Sequence, residues 1–254
     1  MSATGMKFAA DAVAYHASLA DEWEHHYRNP SFQTRQAVLS KSLQGWQLAG
    51  QLWLDAGCGT GVLSHWLAAR GCCVLGVDAA AEMIGAANRS AQFHDCSDRI
   101  NFVRITTVAC LGLDDHSVDG VLCSSVLEYV PDPVACLTEF ARVLKPGGLL
   151  LVSVPNRNSV ARRMQLACHH LGGLLGKSWC KFLDYSRHQY SRPEFERLLA
   201  WAGFSSQKLV PFGGPLPGLA QRSQHWAPLL MFVAQKAGMK HYAQPNQANA
   251  SARC

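Results

Sequence analysis

The chain has 254 residues, of which 48% are hydrophobic and 16% charged. That is enough apolar material for one large domain, or for one domain carrying an elaborate substrate cap, and it excludes wholesale disorder. The formal charge of +5 is mild. Its basic residues are dispersed except for Arg157, Arg162 and Arg163, which read first as a solvated basic face, with contact to an anionic substrate or a membrane surface as the alternative.

No apolar run approaches the ~20 residues of a membrane span, so no stable membrane insertion is expected. Residues 1–14 have no basic stretch followed by an apolar core, and a cytoplasmic protein without a secretory signal is expected. Ten cysteines are scattered along the chain, none in a Cys-x-x-Cys pair. They read as reduced structural thiols, and no metal site is expected.

In chain order, residues 1–45 read as two helices separated by Asn29-Pro30-Ser31. Ala12, Tyr15, Leu19 and Trp23 share a face of the first, and Phe32, Gln36, Leu39 and Leu43 a face of the second. Strand and helix then alternate: strand 51–55, helix 60–70 stopped by Gly71, strand 72–78, helix 82–89, strand 99–105 and strand 118–123. Asp132 caps the next helix and Pro133 opens it, with Val134, Leu137, Ala141 and Leu144 predicted on its inner face. Lys145-Pro146-Gly147-Gly148 ends that helix, and 149–154 is an unbroken apolar strand suited to the centre of a parallel sheet. Residues 155–190 break the rhythm and read as an inserted cap. Ser191 to Glu194 is a capping box opening a helix to Trp201. Strands 207–212 and 229–235 follow, joined by a loop rich in Pro and Gly, and residues 237–254 read as a polar, disordered tail. The expected organisation is therefore a helical lid (1–45), an α/β domain (46–236, cap 155–190) and a tail, with a doubly wound sheet whose ligand sits at the carboxyl ends of the strands.

The strongest local signal is a strand running into Asp55-Ala56-Gly57-Cys58-Gly59-Thr60-Gly61 and then a helix. Glycines permit the tight turn and the close approach of a bulky ligand. Asp78, 21 residues after Gly57, closes the next strand and is placed to accept hydrogen bonds from ribose hydroxyls. A dinucleotide calls for Gly-x-Gly-x-x-Gly and a helix N-terminus free to hold pyrophosphate. Here the third glycine comes one position early, and Asp55 would repel a pyrophosphate while helping to hold an ammonium. The loop therefore favours S-adenosylmethionine over a nicotinamide cofactor.

These residues, with Val74-Leu75-Gly76-Val77-Asp78, Glu82-Met83-Ile84, Val118 to Leu122, Val126 to Pro133 and Arg142 to Gly148, resemble the class I S-adenosylmethionine-dependent methyltransferases. The similarity is to the bacterial small-molecule group that includes ubiquinone-biosynthesis O-methyltransferases. The resemblance implies a Rossmann-like, seven-stranded sheet with the last strand antiparallel. It implies that Asp55, Ala56, Gly57, Cys58, Gly59 and Gly61 cradle the methionine part, that Asp78 binds the ribose, and that Ala79, Met83, Thr107 and Val108 border the adenine. Cys123 and Ser124 would lie beside the sulfonium, and Tyr15 and Arg35 would close over the cofactor as part of the lid. S-adenosylhomocysteine would be the product. Relatives often carry an acid near position 107 and Glu-His at 128–129; this chain has Thr107 and Glu128-Tyr129.

Methyl transfer to a hydroxyl benefits from a base, and Glu128, Tyr129 and His188 are the candidates, with His169 and His170 behind them. The apolar cap residues Met164, Leu166, Leu171, Leu174, Leu175, Trp179 and Phe182 suggest an apolar or aromatic small-molecule acceptor, with O-methylation favoured over C- or N-methylation. The rival readings are a methyltransferase acting on a macromolecule or lipid, a nicotinamide-dependent oxidoreductase, and a non-catalytic binding protein. The modest charge and the absence of an Asn/Asp-Pro-Pro-Tyr/Phe run argue against a nucleic-acid partner. A monomer or homodimer is expected.

Overall fold

In the computed structural model, residues 3–20, 30–177, 179–214, 220 and 223–237 are described. Strands β1 (Leu52–Ala56), β2 (Cys73–Asp78), β3 (Ile100–Arg104), β4 (Val118–Ser124), β5 (Leu144–Pro155), β6 (Phe204–Phe212) and β7 (Leu229–Lys236) form one sheet in the order β3-β2-β1-β4-β5-β7-β6. Neighbours are parallel except around β7, which runs antiparallel to both β5 and β6. The expected α/β sheet with an antiparallel last strand is what forms.

The central strands read as continuous apolar runs because both faces are covered. Alternate side chains of a strand point to opposite faces. Leu54, Val121 and Cys123 join a core with Leu137 and Phe140 of α5 (Pro133–Val143) and with Phe195 and Leu199 of α7 (Arg192–Trp201). Trp53, Leu122 and Leu151 join a second core with Val38 and Leu39 of α2 (Pro30–Ser42) and with Leu63 and Leu67 of α3 (Val62–Ala68). Helices α1 (Ala3–Ala17), α4 (Ala81–Ala91) and α6 (Val160–Leu174) complete the framework. Ala20, Ala80 and Met83 pack with Val13 and Ala17, which fixes α1 over the start of α4.

Local chemistry sets the helix starts. Asp132 Oδ1 accepts the Ala135 amide at 3.0 Å, with Pro133 in the first turn of α5. Ser159 Oγ accepts the Arg162 amide at 3.3 Å to open α6. The Ser191–Glu194 capping box opens α7.

Several expectations need correcting. Helix α3 begins at Val62 rather than Thr60, because Gly57, Gly59 and Gly61 all have positive φ (77°, 54° and 81°) and carry the loop two residues further. The inner face of α5 is Cys136, Leu137, Phe140 and Val143; Val134 and Ala141 are only half-buried. Lys145 to Gly148 does not separate helix from strand. It is an irregularity inside β5, which pairs Leu144 with Val118 before the bulge and Leu149 with Gly120 after it. Strand β6 starts three residues earlier than predicted, at Phe204. Trp23, the side chain of Phe32, most of the Pro/Gly loop (215–219) and the tail beyond Ala237 lie outside the described residues.

Trp53 of β1 packs closely over Gly120 of β4, its register partner. A Cβ on Gly120 would lie 2.4 Å from the Trp53 ring, which is itself fully buried. Gly120→Ala is expected to destabilise the fold by about 1–3 kcal/mol through overpacking. The check is the urea midpoint, which should fall with an unchanged slope.

Candidate functional site

A cavity of about 1150 Å³ opens at the carboxyl ends of β1, β2 and β4. Two carboxylates line it from neighbouring strand tips, Asp55 at the end of β1 and Asp78 at the end of β2. Asp55 is 2% exposed, and its Oδ2 accepts the Ser64 hydroxyl at 2.6 Å. Burial pushes its carboxyl up to about 7, against the Ser64 hydrogen bond and with help from the neighbouring Asp78 charge. Asp78 accepts the Gly59 amide on Oδ2 and the Ala80 amide on Oδ1, each at 2.9 Å. Burial raises it too, while those amides and His16 pull it back.

The glycine loop works through its backbone more than through open space. Gly59 turns its amide onto Asp78, and the amides of Gly57 and Cys58 both donate to Val77 O. A Cβ on Gly57 would lie 2.2 Å from Val126, and one on Gly61 would lie 2.3 Å from Phe102. Gly61 does not line the cavity; it is the left-handed cap of α3. The need for glycine at both positions is thus set by protein packing as well as by φ.

Of the remaining predicted residues, Cys58, Ala79, Met83, Thr107, Val108, Ser124, Tyr15, Arg35, Glu128 and Tyr129 line the same cavity. Ala56 and Cys123 lie in the core beside it. Thr107 Oγ1 accepts the Ala109 amide at 3.2 Å, tightening that loop. His188 does not line the cavity: its Nε2 lies 3.0 Å from Val130 O. His169 is also elsewhere, bonded to Trp179 O and paired with Asp184 at 2.9 Å.

The stretch after β4 gathers the other elements. Ser125 sits at φ 57°, and its amide donates to Ser153 Oγ at 2.8 Å. That turn lets Arg35 of α2 donate to both Ser124 Oγ at 2.8 Å and Ser125 Oγ at 3.1 Å. Tyr15 stacks on Tyr185 of the cap at 4.6 Å, and His16 meets Tyr129 edge-on at 4.6 Å. Burial lifts the Tyr129 phenol well above its ordinary value, with the Glu128 charge adding to the effect.

Sequence reasoning missed His16, Gln165 and the place of Arg162, all of which line the cavity. Arg162 is 3% exposed. Its Nη2 donates to Glu128 Oε2 at 3.3 Å and to Ser186 Oγ at 2.8 Å, and Ser186 donates to the same Glu128 oxygen at 2.6 Å. The cluster of three arginines is therefore not one solvated face: Arg163 is exposed and Arg157 pairs with Glu194, but Arg162 points inward. The apolar cap residues behave in the opposite way. Met164, Leu171, Leu174, Leu175 and Trp179 are exposed, and of the cap's large apolar side chains it is Phe182 that lines the cavity.

The arrangement suits a ligand with a positive charge and vicinal hydroxyls. Asp55 has the Ser64 hydroxyl as its hydrogen-bond partner but no basic side chain against it among the described residues, so a cation there would relieve the cost of its ionisation. Asp78 keeps lone pairs on both oxygens after accepting one amide on each. These are the features that S-adenosylmethionine requires, and the residues present fit it.

Comparison with known proteins agrees. Residues 54–152 match the family model described as "Methyltransferase domain". The chain is 32% identical over 182 residues to a ubiquinone biosynthesis O-methyltransferase of Xanthomonas euvesicatoria, covering 70% of this chain and 72% of that protein. It is 32% identical over 168 residues to the enzyme of the same name from Psychrobacter arcticus, covering 64% of this chain and 62% of that protein's length. In structure it is similar to magnesium protoporphyrin IX methyltransferase from Synechocystis with bound SAH, with a TM-score of 0.65 at 22% identity over 85% of this chain and 94% of that one, a likeness of fold. The glycine loop between two strand-tip carboxylates, the sheet order and these relatives together place the chain in the class I S-adenosylmethionine-dependent methyltransferase family.

Proposed function

We propose that this protein transfers a methyl group from S-adenosylmethionine to a small, mostly apolar or aromatic acceptor, with oxygen the favoured atom. The observation that carries the proposal is the single cavity that runs from Asp55 and Asp78 to a second half lined by Tyr129, Val130, Pro131, Arg162 and Phe182. At about 1150 Å³ it exceeds the roughly 300–1,000 Å³ of an ordinary small-ligand site, which leaves room for an acceptor beside the cofactor. The name shared by the relatives supports oxygen as the acceptor atom.

In this reading Asp78 holds the ribose, and Asp55 faces the positively charged end of the cofactor. Met83, Ala79, Thr107 and Val108 border the adenine, while Gly57, Cys58 and Ser124 line the path of the methionine chain. Bound S-adenosylmethionine supplies an electrophilic methyl group on sulfur. The protein's part is to align the acceptor and exclude water, a contribution of up to ~7–11 kcal/mol. Tyr15, His16 and Arg35 form the roof, supporting the lid reading of the first 45 residues.

For the acceptor's proton, His16 suits the role of base better than the Glu128 carboxylate or the Tyr129 phenol. Its Nδ1 lies 2.8 Å from Ala12 O, so the neutral ring donates there, which makes Nε2 the basic nitrogen. Burial lowers its proton affinity, so the neutral form prevails at neutral pH. Glu128 is already committed to Arg162 and Ser186, and Tyr129 is held protonated. With a hydroxyl acceptor, turnover should follow an acid limb with a midpoint below 6.5. His16→Ala should lower kcat by roughly 10²–10⁴-fold and remove that limb. A pH–rate profile that keeps the limb in the variant would assign the proton elsewhere.

Asp78→Asn is expected to weaken S-adenosylhomocysteine binding by roughly 10- to 100-fold, the worth of hydrogen bonds to a charged acceptor. Calorimetry with that compound is the direct test, and an unchanged affinity would overturn the ribose assignment.

Asp55 gives a pH prediction for the ligand-free protein. Its folded carboxyl titrates near 7, against 3.8 in the unfolded chain. Between those values the folded state holds a proton that the unfolded state has lost, so stability falls as pH rises through that window. Asp55→Asn removes this term. The variant should gain stability relative to the parent from about pH 4 to about pH 7, then keep a constant lead, as read from urea midpoints across that range. Parallel profiles would contradict it.

A further inference from the structure

We infer that Arg162 and Gln165 form a recognition site for a second, non-reacting hydroxyl group on the acceptor. The inference rests on the methyltransferase reading above and adds to it what the acceptor half of the cavity selects. Both residues belong to α6, three positions apart, so they share one face of that helix. Both line the cavity, next to Phe182. Arg162 Nε and Gln165 Oε1 are buried and have no hydrogen-bond partner among the described residues. Buried polar atoms left in that state are uncommon and call for an explanation, and at a ligand cavity the explanation is a ligand atom.

The chemistry of the two atoms narrows the class. Arg162 Nε–H can only donate, and Gln165 Oε1 can only accept. A hydroxyl does both at once. A carboxylate would meet an acceptor oxygen at Gln165 unless the amide turned over to present its NH2. It would also bring a second anion toward Glu128, which already balances the Arg162 charge at 3.3 Å. An unsubstituted hydrocarbon edge would leave both atoms unpaired.

The rest of the cluster holds the site in place. The Arg162 Nη2 bonds to Glu128 and Ser186 fix the guanidinium, which lies 5.5 Å above the Phe182 ring. Its Nε is thereby presented with little freedom, so the hydroxyl would be met by a donor that does not have to reorganise. Among the described residues the Gln165 side chain makes no hydrogen bond to Glu128, Arg162 or Ser186, so it can be changed without removing a partner from that cluster.

The test is calorimetry on the protein saturated with S-adenosylhomocysteine, using phenol, the three dihydroxybenzenes, and 3- and 4-hydroxybenzoate as probes. At least one dihydroxybenzene should bind tenfold or more tightly than phenol. Gln165→Leu should abolish that advantage while leaving the affinities for phenol and S-adenosylhomocysteine unchanged. The site is disproved if no dihydroxybenzene outbinds phenol, if the advantage survives in Gln165→Leu, or if the hydroxybenzoates bind best, which would mark an anion site. Failure of the parent protein to bind S-adenosylhomocysteine would instead defeat the methyltransferase reading on which the site depends. Intact cofactor binding without a preference for the second hydroxyl defeats the recognition site alone.

Discussion

Two carboxylates share a buried space at adjacent strand tips, and the organisation of the site follows from what keeps them there. A carboxylate moved out of water is costly unless it gains hydrogen bonds or an opposite charge. Asp78 gains two backbone amides, and one of these, from Gly59, exists because the glycine loop adopts left-handed φ values that other residues rarely hold. Asp55 gains both of its hydrogen bonds from one residue, the Ser64 hydroxyl and, with a smaller effect, the Ser64 amide, and burial still lifts its carboxyl to about 7. The parallel pairing of Asp55 with Gly76 and Ala56 with Val77 fixes how far apart the two acids stand. A slip of one residue in this register would put the two acids on opposite faces of the sheet. The tight fit of Gly120 to Trp53 on the other side of β1 opposes such a slip.

The acceptor half of the cavity has a different logic. Glu128 and Arg162 form a buried ion pair, and such pairs contribute little net stability compared with a well-packed apolar alternative. What the pair does supply is position. Glu128 follows β4, Arg162 belongs to α6, and Ser186 lies in the cap beyond it; their three hydrogen bonds tie these segments into one wall. The backbone adds to this, since the amide of Arg187 donates to Glu128 O at 2.9 Å. A carboxylate held by two donors is poorly suited to removing a proton, which is why its place in the cap outweighs its candidacy as a base.

The parts of the structure set by local rules were legible in the sequence. The alternation of strand and helix, the caps at Asp132 and Ser191, and the acids closing β1 and β2 all declare themselves within a few residues. What was not legible depends on which way a side chain faces after the chain has folded. Arg162 and Arg163 are neighbours in sequence with the same charge, yet one is buried and the other exposed. The apolar stripe of α6 looks like a lining from its composition, but Met164, Leu171, Leu174 and Leu175 turn away from the cavity. Their helical spacing marks a face without saying what lies against it. The β5 irregularity was hidden for a related reason: Pro146, Gly147 and Gly148 read as a break, and only the ladder to β4 on both sides shows the strand continuing past them.

The roof and the cap meet over the same short segment. Arg35 reaches Ser124 and Ser125, His16 lies against Tyr129, and Tyr15 stacks on Tyr185, so α2, α1 and the cap all converge on the chain that follows β4. That segment borders both halves of the cavity, with Ser124 toward the acids and Glu128 toward Arg162. Under the proposed function, the groups that sense the cofactor and the acceptor are thus four residues apart on one loop, and the elements that enclose them are held by contacts to that loop. The strained φ of Ser125 falls between the two halves. Backbone strain of this kind persists where surrounding contacts over-determine it, and here the Ser153 hydroxyl and Arg35 supply them, binding the geometry of the cofactor half to that of the acceptor half.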